Sequence, residues 1–198
     1  TLAKQYFGGI SDHVRNDKYP DVALYLAEQL QAQINIIPLK EQKRVAITFA
    51  LPELERFYKH KPLTFISHLL GYEGKGSLLS YLKESGLANN LSAGGGVNGY
   101  NFKDYNISIQ LTDRGLARLD EVISATFEYI ELIKTQGLQP WRYNERAALL
   151  QVAFQYQEQV NALDLASHLS INMHHYDVED VIYGDFRMDG LNFEETQQ

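Results

Sequence analysis

Apolar residues recur every fourth position over residues 1–16, at Leu2, Tyr6, Ile10 and Val14, the spacing of one face of a helix. Asp17 to Gln33 holds Pro20 near its start and a polar tail, Glu28 to Gln33, and reads either as a short helix or as a solvated linker. Two β-branched runs follow. Ile34–Leu39 is the first. In the second, Arg44–Leu51, Val45, Ile47, Phe49 and Leu51 alternate with smaller residues, the period of a half-buried strand. The charged stretch Lys40–Lys43 then reads as the turn between two strands, and Pro52, which cannot donate to a ladder, closes the second.

From Pro62 the period returns to that of a helix, with Leu63, Ile66 and Leu70 on one face and glycines at 71, 74 and 76 ending it. Ser77 is placed to cap a second short helix reaching Glu84, with Leu78, Leu79 and Leu82 inward. Ala88–Ala93 reads as a short extended segment, and Gly94 to Gly99 as a flexible or left-handed connection. Tyr105, Ile107, Ile109 and Leu111 alternate with polar residues and predict a strand. Thr112 is expected to cap the longest helix, with a buried stripe of Leu116, Leu119, Ile123, Phe127, Ile130 and Ile133 and an end at Gly137. Pro140 opens another helix to about Gln159, with Ala147, Leu150 and Phe154 inward. Further helices are predicted over 162–173 and 177–186, with a polar tail from Asp189. Strands first and helices later imply an α+β fold, a two-layer sandwich of a mixed or antiparallel sheet packed against helices.

Composition narrows the function classes. With 198 residues and 44% hydrophobic content the chain can bury a sizeable core. A net charge of −7 with scattered basic residues gives no footprint for a phosphate backbone, so nucleic acid is not an expected partner. No apolar run approaches a bilayer's thickness, and no membrane partner is expected. The absence of cysteine excludes disulfides, thiolate metal sites and cysteine nucleophiles, without fixing a compartment. Beginning at Thr1 without an initiator methionine or a signal pattern, the chain reads as a piece of something longer.

No complete catalytic constellation emerges. His-Glu-x-x-His and its inverse are both missing. His68 and Glu73 are five residues apart, which on a helix separates their side chains, and the adjacent pair His174-His175 beside Asp177, Glu179 and Asp180 points in diverging directions. There is no Gly-x-Ser-x-Gly elbow. The run Gly71-x-x-Gly74-x-Gly76-Ser77 opens a helix as a phosphate cradle would, yet Gly76 separates Lys75 from Ser77 and a helix precedes it. The glycines can equally serve a sharp turn between helices. The extended segment near Asn89–Ala93, followed by glycines, suits pairing with an added peptide strand, and also suits an ordinary strand ending in a loop.

The run from His68 to Lys83, His-Leu-Leu-Gly-Tyr-Glu-Gly-Lys-Gly-Ser-Leu-Leu-Ser-Tyr-Leu-Lys, resembles a signature of the insulinase family of zinc metallopeptidases. Ile36–Pro52 is similar to the strand pair that opens that family's second domain, Gly137–Phe154 to its Gly-x-x-x-Trp helix, and His174–Phe186 to the segment that follows. The resemblance covers about residues 31–190. It implies that residues 1–30 are the tail of a preceding catalytic domain with its linker, and that 31–198 form a non-catalytic domain of the same α+β fold. It further implies zinc in the parent enzyme but none on this chain, peptide substrates, and the other domains of the same polypeptide as partners. Substrate anchoring by strand addition would fall to His68, Gly71 and Glu73 in the turn and to Leu91, Ser92, Ala93, Gly94 and Gly95 along the strand, with no catalytic residue here. His68 and Glu73 can instead simply brace the turn. Tyr72 stands where the family usually has histidine, and Ser92-Ala93 where Val-Gly is common. A zinc-free structural subunit like those of the processing peptidases is the alternative the same resemblance allows.

Overall fold

The computed structural model describes residues 1–10, 25–99 and 101–197. Its sheet is three-stranded and antiparallel, in the order β1-β3-β2, with β1 at Arg44–Pro52, β2 at Ala88–Asn98 and β3 at Phe102–Leu111. β3 is central because its alternation gives one wholly apolar face. Tyr105, Ile107, Ile109 and Leu111 are all buried on it. Across the ladders Ile109 faces Val45 and Leu91, while Ile107 faces Ile47 and Ala93. Cross-strand pairs of this kind hold a sheet together.

Helices α2 (Pro62–Leu70), α3 (Leu78–Glu84) and α5 (Leu119–Gln136) close over that face, burying Leu70, Leu78, Leu79, Leu82, Leu91 and Val122 in one cluster. α2 and α3 begin and end where the sequence predicts. Pro62 occupies the first turn of α2, and the Ser77 hydroxyl accepts the Ser80 N–H at 3.0 Å to cap α3. Gly76, with φ +83°, supplies the left-handed residue of the turn that leads into this cap. A second cluster joins Phe65 and Leu69 of α2 to Tyr143 of α6 (Pro140–Gln155), the Phe65 and Tyr143 rings meeting edge to face at 5.3 Å. The Tyr143 hydroxyl donates to the His60 carbonyl at 2.7 Å.

Several expectations are corrected. Residues 34–39 form no strand: Ile34, Ile36 and Ile37 are at least 80% exposed, Pro38 lacks a ladder donor, and β1 pairs with β3 instead. The expected hairpin, and with it the strand pair over 36–52, is therefore a single strand. Gly94–Gly96 is not a left-handed connection but the continuation of β2, and none of the three has a positive φ. Thr112 caps only the short α4 (Asp113–Ala117), and α5 restarts after Arg118, so Leu116 lies outside the stripe and is half exposed. Phe127 is also exposed, while Val122 and Thr126 take the innermost positions. α6 stops at Gln155, four residues early. Asp177–Phe186 holds two 3-10 turns, at Val178–Asp180 and Gly184–Phe186, in place of one helix. The expected polar tail forms α8 (Phe193–Gln197), held by a 2.8 Å His60–Glu195 pair. Of the first predicted helix, α1 (Leu2–Phe7) is present, and residues 11–16 lie outside the described residues, as do residues 17–24 of the segment read as helix or linker, whose described remainder holds one 3-10 turn at Ala27–Gln29. α7 (Ala162–His175) extends two residues beyond its prediction.

The corner that leads into α4 is tightly packed. Leu87, fully buried between α3 and β2, accepts the Thr112 N–H at 3.1 Å, and the Thr112 hydroxyl donates to the Gly86 carbonyl at 2.7 Å. α4 is thereby pressed against this corner so tightly that a Cβ on Gly115 would lie 1.9 Å from the Leu87 carbonyl oxygen. Gly115→Ala is expected to cost about 1–3 kcal/mol of stability through that overpacking, read as a fall in the urea midpoint at unchanged slope. Gly137→Ala in open space at the end of α5 offers no such clash and reports only the strain of its positive φ.

Candidate functional site

The residues anticipated for peptide anchoring fall on two neighbouring elements. β2 pairs only with β3, so among the described residues the polar groups of its other edge meet no strand. Leu91 is 4% exposed and ties β2 to the core, Ser92 points away from it, and Ala93 packs partly inward. Gly95 lies against α2, where an added Cβ would stand 3.5 Å from the Leu63 side chain. With Leu63 at Gly95 and Leu70 in the cluster that holds Leu91, α2 runs back along β2 and delivers the following turn toward the start of the strand.

That turn is built from short contacts. The Gly71 N–H closes α2 on the Ser67 carbonyl at 2.9 Å, and the Tyr72 ring folds over Gly74, occupying the place of a side chain there. The Arg142 guanidinium stands 5.5 Å from the Tyr72 ring centre. Glu73 is exposed and, among the described residues, carries neither a hydrogen bond nor an ion pair. His68 is half-buried, and burial first, then the Arg146 and Arg142 charges, lower its pKa against the opposing pull of Glu145. The two acid–base candidates of the turn thus differ: Glu73 is available to a ligand, whereas His68 is held neutral.

Beyond the far end of β2 lies a cleft of about 570 Å³ between α2, Gly95 and α7. Its polar centre is Asp185, which accepts from Asn172 at 2.8 Å and Tyr176 at 2.9 Å and pairs with His168 at 2.8 Å. Burial works to raise the Asp185 carboxyl, but the three hydrogen bonds outweigh it and hold it below the usual carboxylate range. Burial, then the bond to Asp185, pushes the Tyr176 phenol upward. Lys61, with φ +47°, sits 5.8 Å from the Tyr176 ring centre, and burial lowers its pKa against the pull of Asp185. Sequence reasoning missed this group, since His168, Asn172, Tyr176 and Asp185 follow no recognised motif and Lys61 joins them from more than a hundred positions away.

The donor set does not fit a metal. His60, His168 and His175 each pair with a carboxylate of their own, Glu195, Asp185 and Glu55 respectively. Among the described residues no three His, Asp or Glu side chains gather where one ion could be held. No helix among them is long and apolar enough to cross a membrane.

Residues 1–150 match the family model described as the inactive domain of peptidase M16. The chain is 32% identical to the insulin-degrading enzyme of Drosophila melanogaster over 164 residues, 82% of this chain and 16% of that protein. It is 33% identical to human nardilysin over 154 residues, 76% of this chain and 13% of that protein. A crystal structure of pitrilysin superposes with a TM-score of 0.76 at 25% identity, covering 81% of this chain and 17% of the other. The chain thus spans about one-sixth of the length of such relatives.

The lowered His68 pKa sets a pH dependence. An unfolded histidine takes up its proton near pH 6.5, the folded one only at lower pH. In between, the unfolded chain binds more protons, so His68 contributes stability in full above pH 6.5 that is lost on acidification through its folded pKa. Ring-proton NMR should place the His68 midpoint below 6.5, and His68→Gln should flatten this part of the stability profile between pH 7 and 5.

Proposed function

Because the chain belongs to the peptidase M16, or insulinase, family and matches the inactive domain of that family, we propose that it is a non-catalytic part of a zinc metalloendopeptidase that anchors peptide segments by strand addition. In this reading residues 1–30 end a preceding catalytic domain and 31–198 form the anchoring domain, part of the wall of a closed chamber. Zinc would be held by residues of the parent enzyme outside this chain. The observation that carries the proposal is the edge of β2 between Ala88 and Gly95, which meets no strand among the described residues, is held to the core by Leu91 and packs against α2, the helix whose following turn carries the exposed Glu73.

The physics of the edge suits broad peptide recognition. Main-chain groups of a docked peptide pair with those of β2 whatever its side chains, and a carboxylate nearby favours an amino terminus. Gly71, Ser92, Ala93, Gly94 and Gly95 then contribute backbone and clearance, Leu91 rigidity, and His68 bracing from within the turn. Contact with the other domains of the same polypeptide is supported by apolar residues left exposed on α6 and α7, among them Trp141, Leu149, Val152, Leu163 and Met173.

Strand addition has a periodic signature. N-methylating a peptide one residue at a time should weaken binding about tenfold at alternate residues, whose N–H groups face β2, and leave those between unaffected. Isothermal titration or fluorescence anisotropy reads this, and loss at every residue or at none would refute pairing. Leu91 is buried, so proline there would test the fold rather than the edge. Glu73→Gln should weaken peptides with a free amino terminus about two- to fivefold, as expected of an exposed charge pair, and leave N-acetylated peptides unchanged. The isolated chain supplied with zinc should leave a fluorogenic peptide intact, and turnover abolished by a chelator would overturn the assignment of catalysis to other residues.

A further inference from the structure

The face of the sheet turned away from the core carries one group that nothing so far uses. Asp104 lies on it in β3, opposite Ala50 of β1 and between the inward-facing Lys103 and Tyr105. The residue is 7% exposed, and its Oδ1 is fully buried without a hydrogen-bond partner. Leaving a carboxylate oxygen in that state costs free energy that a donor from outside would recover. No such bond is made within the protein: the neighbouring Asn106 amide accepts from the Thr48 hydroxyl at 2.6 Å through its oxygen, its nitrogen forms no bond to Asp104 Oδ1, and Asp104 joins no ion pair among the described residues.

The carboxylate also leans toward the open edge. A Cβ built on Gly96 of β2 would lie 2.3 Å from Asp104 Oδ1 and 2.3 Å from Asn106 Nδ2. Gly96 is therefore the gap through which an acid of the central strand spreads over the edge strand. A residue with any side chain would shut it out. The same face of β2 presents Asn90, Ser92 and Gly94 before it, and an added Cβ on Gly94 would meet nothing within 4 Å.

We propose that Asp104, a buried and unpartnered acid that leans over Gly96 toward the open edge, is a specificity group for a basic side chain of a peptide lying along the outer edge of β2. The inference rests on the strand-addition reading. A docked strand would run about 4.8 Å from β2, and its side chains on the outer face would project across Ser92, Gly94 and Gly96. The four-carbon stem of a lysine spans that distance and brings three N–H donors to an acceptor lacking any. An arginine reaches it as well and can bind two oxygens at once. The bulge between Gly95 and Asn98 turns the strand at this point, so the acid marks where regular pairing stops.

The test uses the full chain and a set of fluorescein-labelled, N-acetylated decapeptides in which a single lysine is moved along the sequence, each with a norleucine twin. At one register the lysine peptide should bind about tenfold more tightly than its twin, the value of one charge-assisted hydrogen bond. Asp104→Asn should erase the difference with the norleucine affinity unchanged, and Gly96→Ala, which keeps the charge but displaces it, should do the same. Glu73→Gln should preserve it. If every pair of twins binds equally, the edge stands and Asp104 is not a specificity group; discrimination that survives both variants refutes it too. If no peptide binds at all, strand addition itself fails and the inference falls with it.

Discussion

Everything in this fold depends on the one-sided burial of β3. Tyr105, Ile107, Ile109 and Leu111 present an unbroken apolar row, each fully buried side chain of this kind contributing roughly 1.5–3 kcal/mol. A slip of one residue would turn that row to water and bring Asp104, Asn106 and Ser108 against the leucines of α3. The register of both neighbours is fixed by this penalty. So is the position of the helices, because α2, α3 and α5 have no other apolar surface of comparable size to cover. The edge of β2 and the polar outer face of the sheet are consequences of the same constraint.

Local chemistry was legible where it acts within a few residues. Pro62, Gly71 and Ser77 define α2 and α3 because a missing donor, a closing turn and a hydroxyl cap each act on their own backbone. The alternation of Tyr105 to Leu111 is equally self-contained. Ile34–Leu39 misleads because β-branched residues show only what a strand could use; the strand that pairs with β1 lies about sixty residues further on. The glycines of β2 mislead in the opposite sense. They resemble a breaker, yet the space above Gly96 is filled by side chains from β3, a fact that no window of sequence around residue 96 contains. The tight seat of α4 likewise depends on the closeness of Gly115 to Leu87, two residues that no local pattern relates.

The candidate site divides along the same line. Glu73 and Leu91–Gly95 could be found from the motif that surrounds them, although the motif alone gave no measure of their accessibility. Asp104 and the Lys61–Tyr176–Asp185 group could not. Their roles arise from residues of different elements meeting after folding, and an aspartate between Lys103 and Tyr105 reads in sequence as an ordinary solvated strand position. Burial without a partner is what distinguishes Asp104, and burial is a property of the assembled sheet.

An open edge able to capture a peptide is also able to capture another copy of itself. β2 limits that hazard through its irregularities. Its ladder with β3 shifts between Ala88 and Asn90 and again between Gly95 and Asn98, and bulges of this kind twist a strand away from flat pairing. The regular stretch between them spans only Asn90 to Gly95, too short and too rich in small residues to hold a partner by side-chain packing. On the strand-addition reading proposed above, binding along it would rest on main-chain hydrogen bonds reinforced at the ends by charge. Exposed Glu73 and buried Asp104 are both acids, so an identical acidic copy meets repulsion where a peptide carrying a free amine or a basic side chain meets attraction. On the proposed reading the edge would select for charge and be indifferent to most of the sequence between.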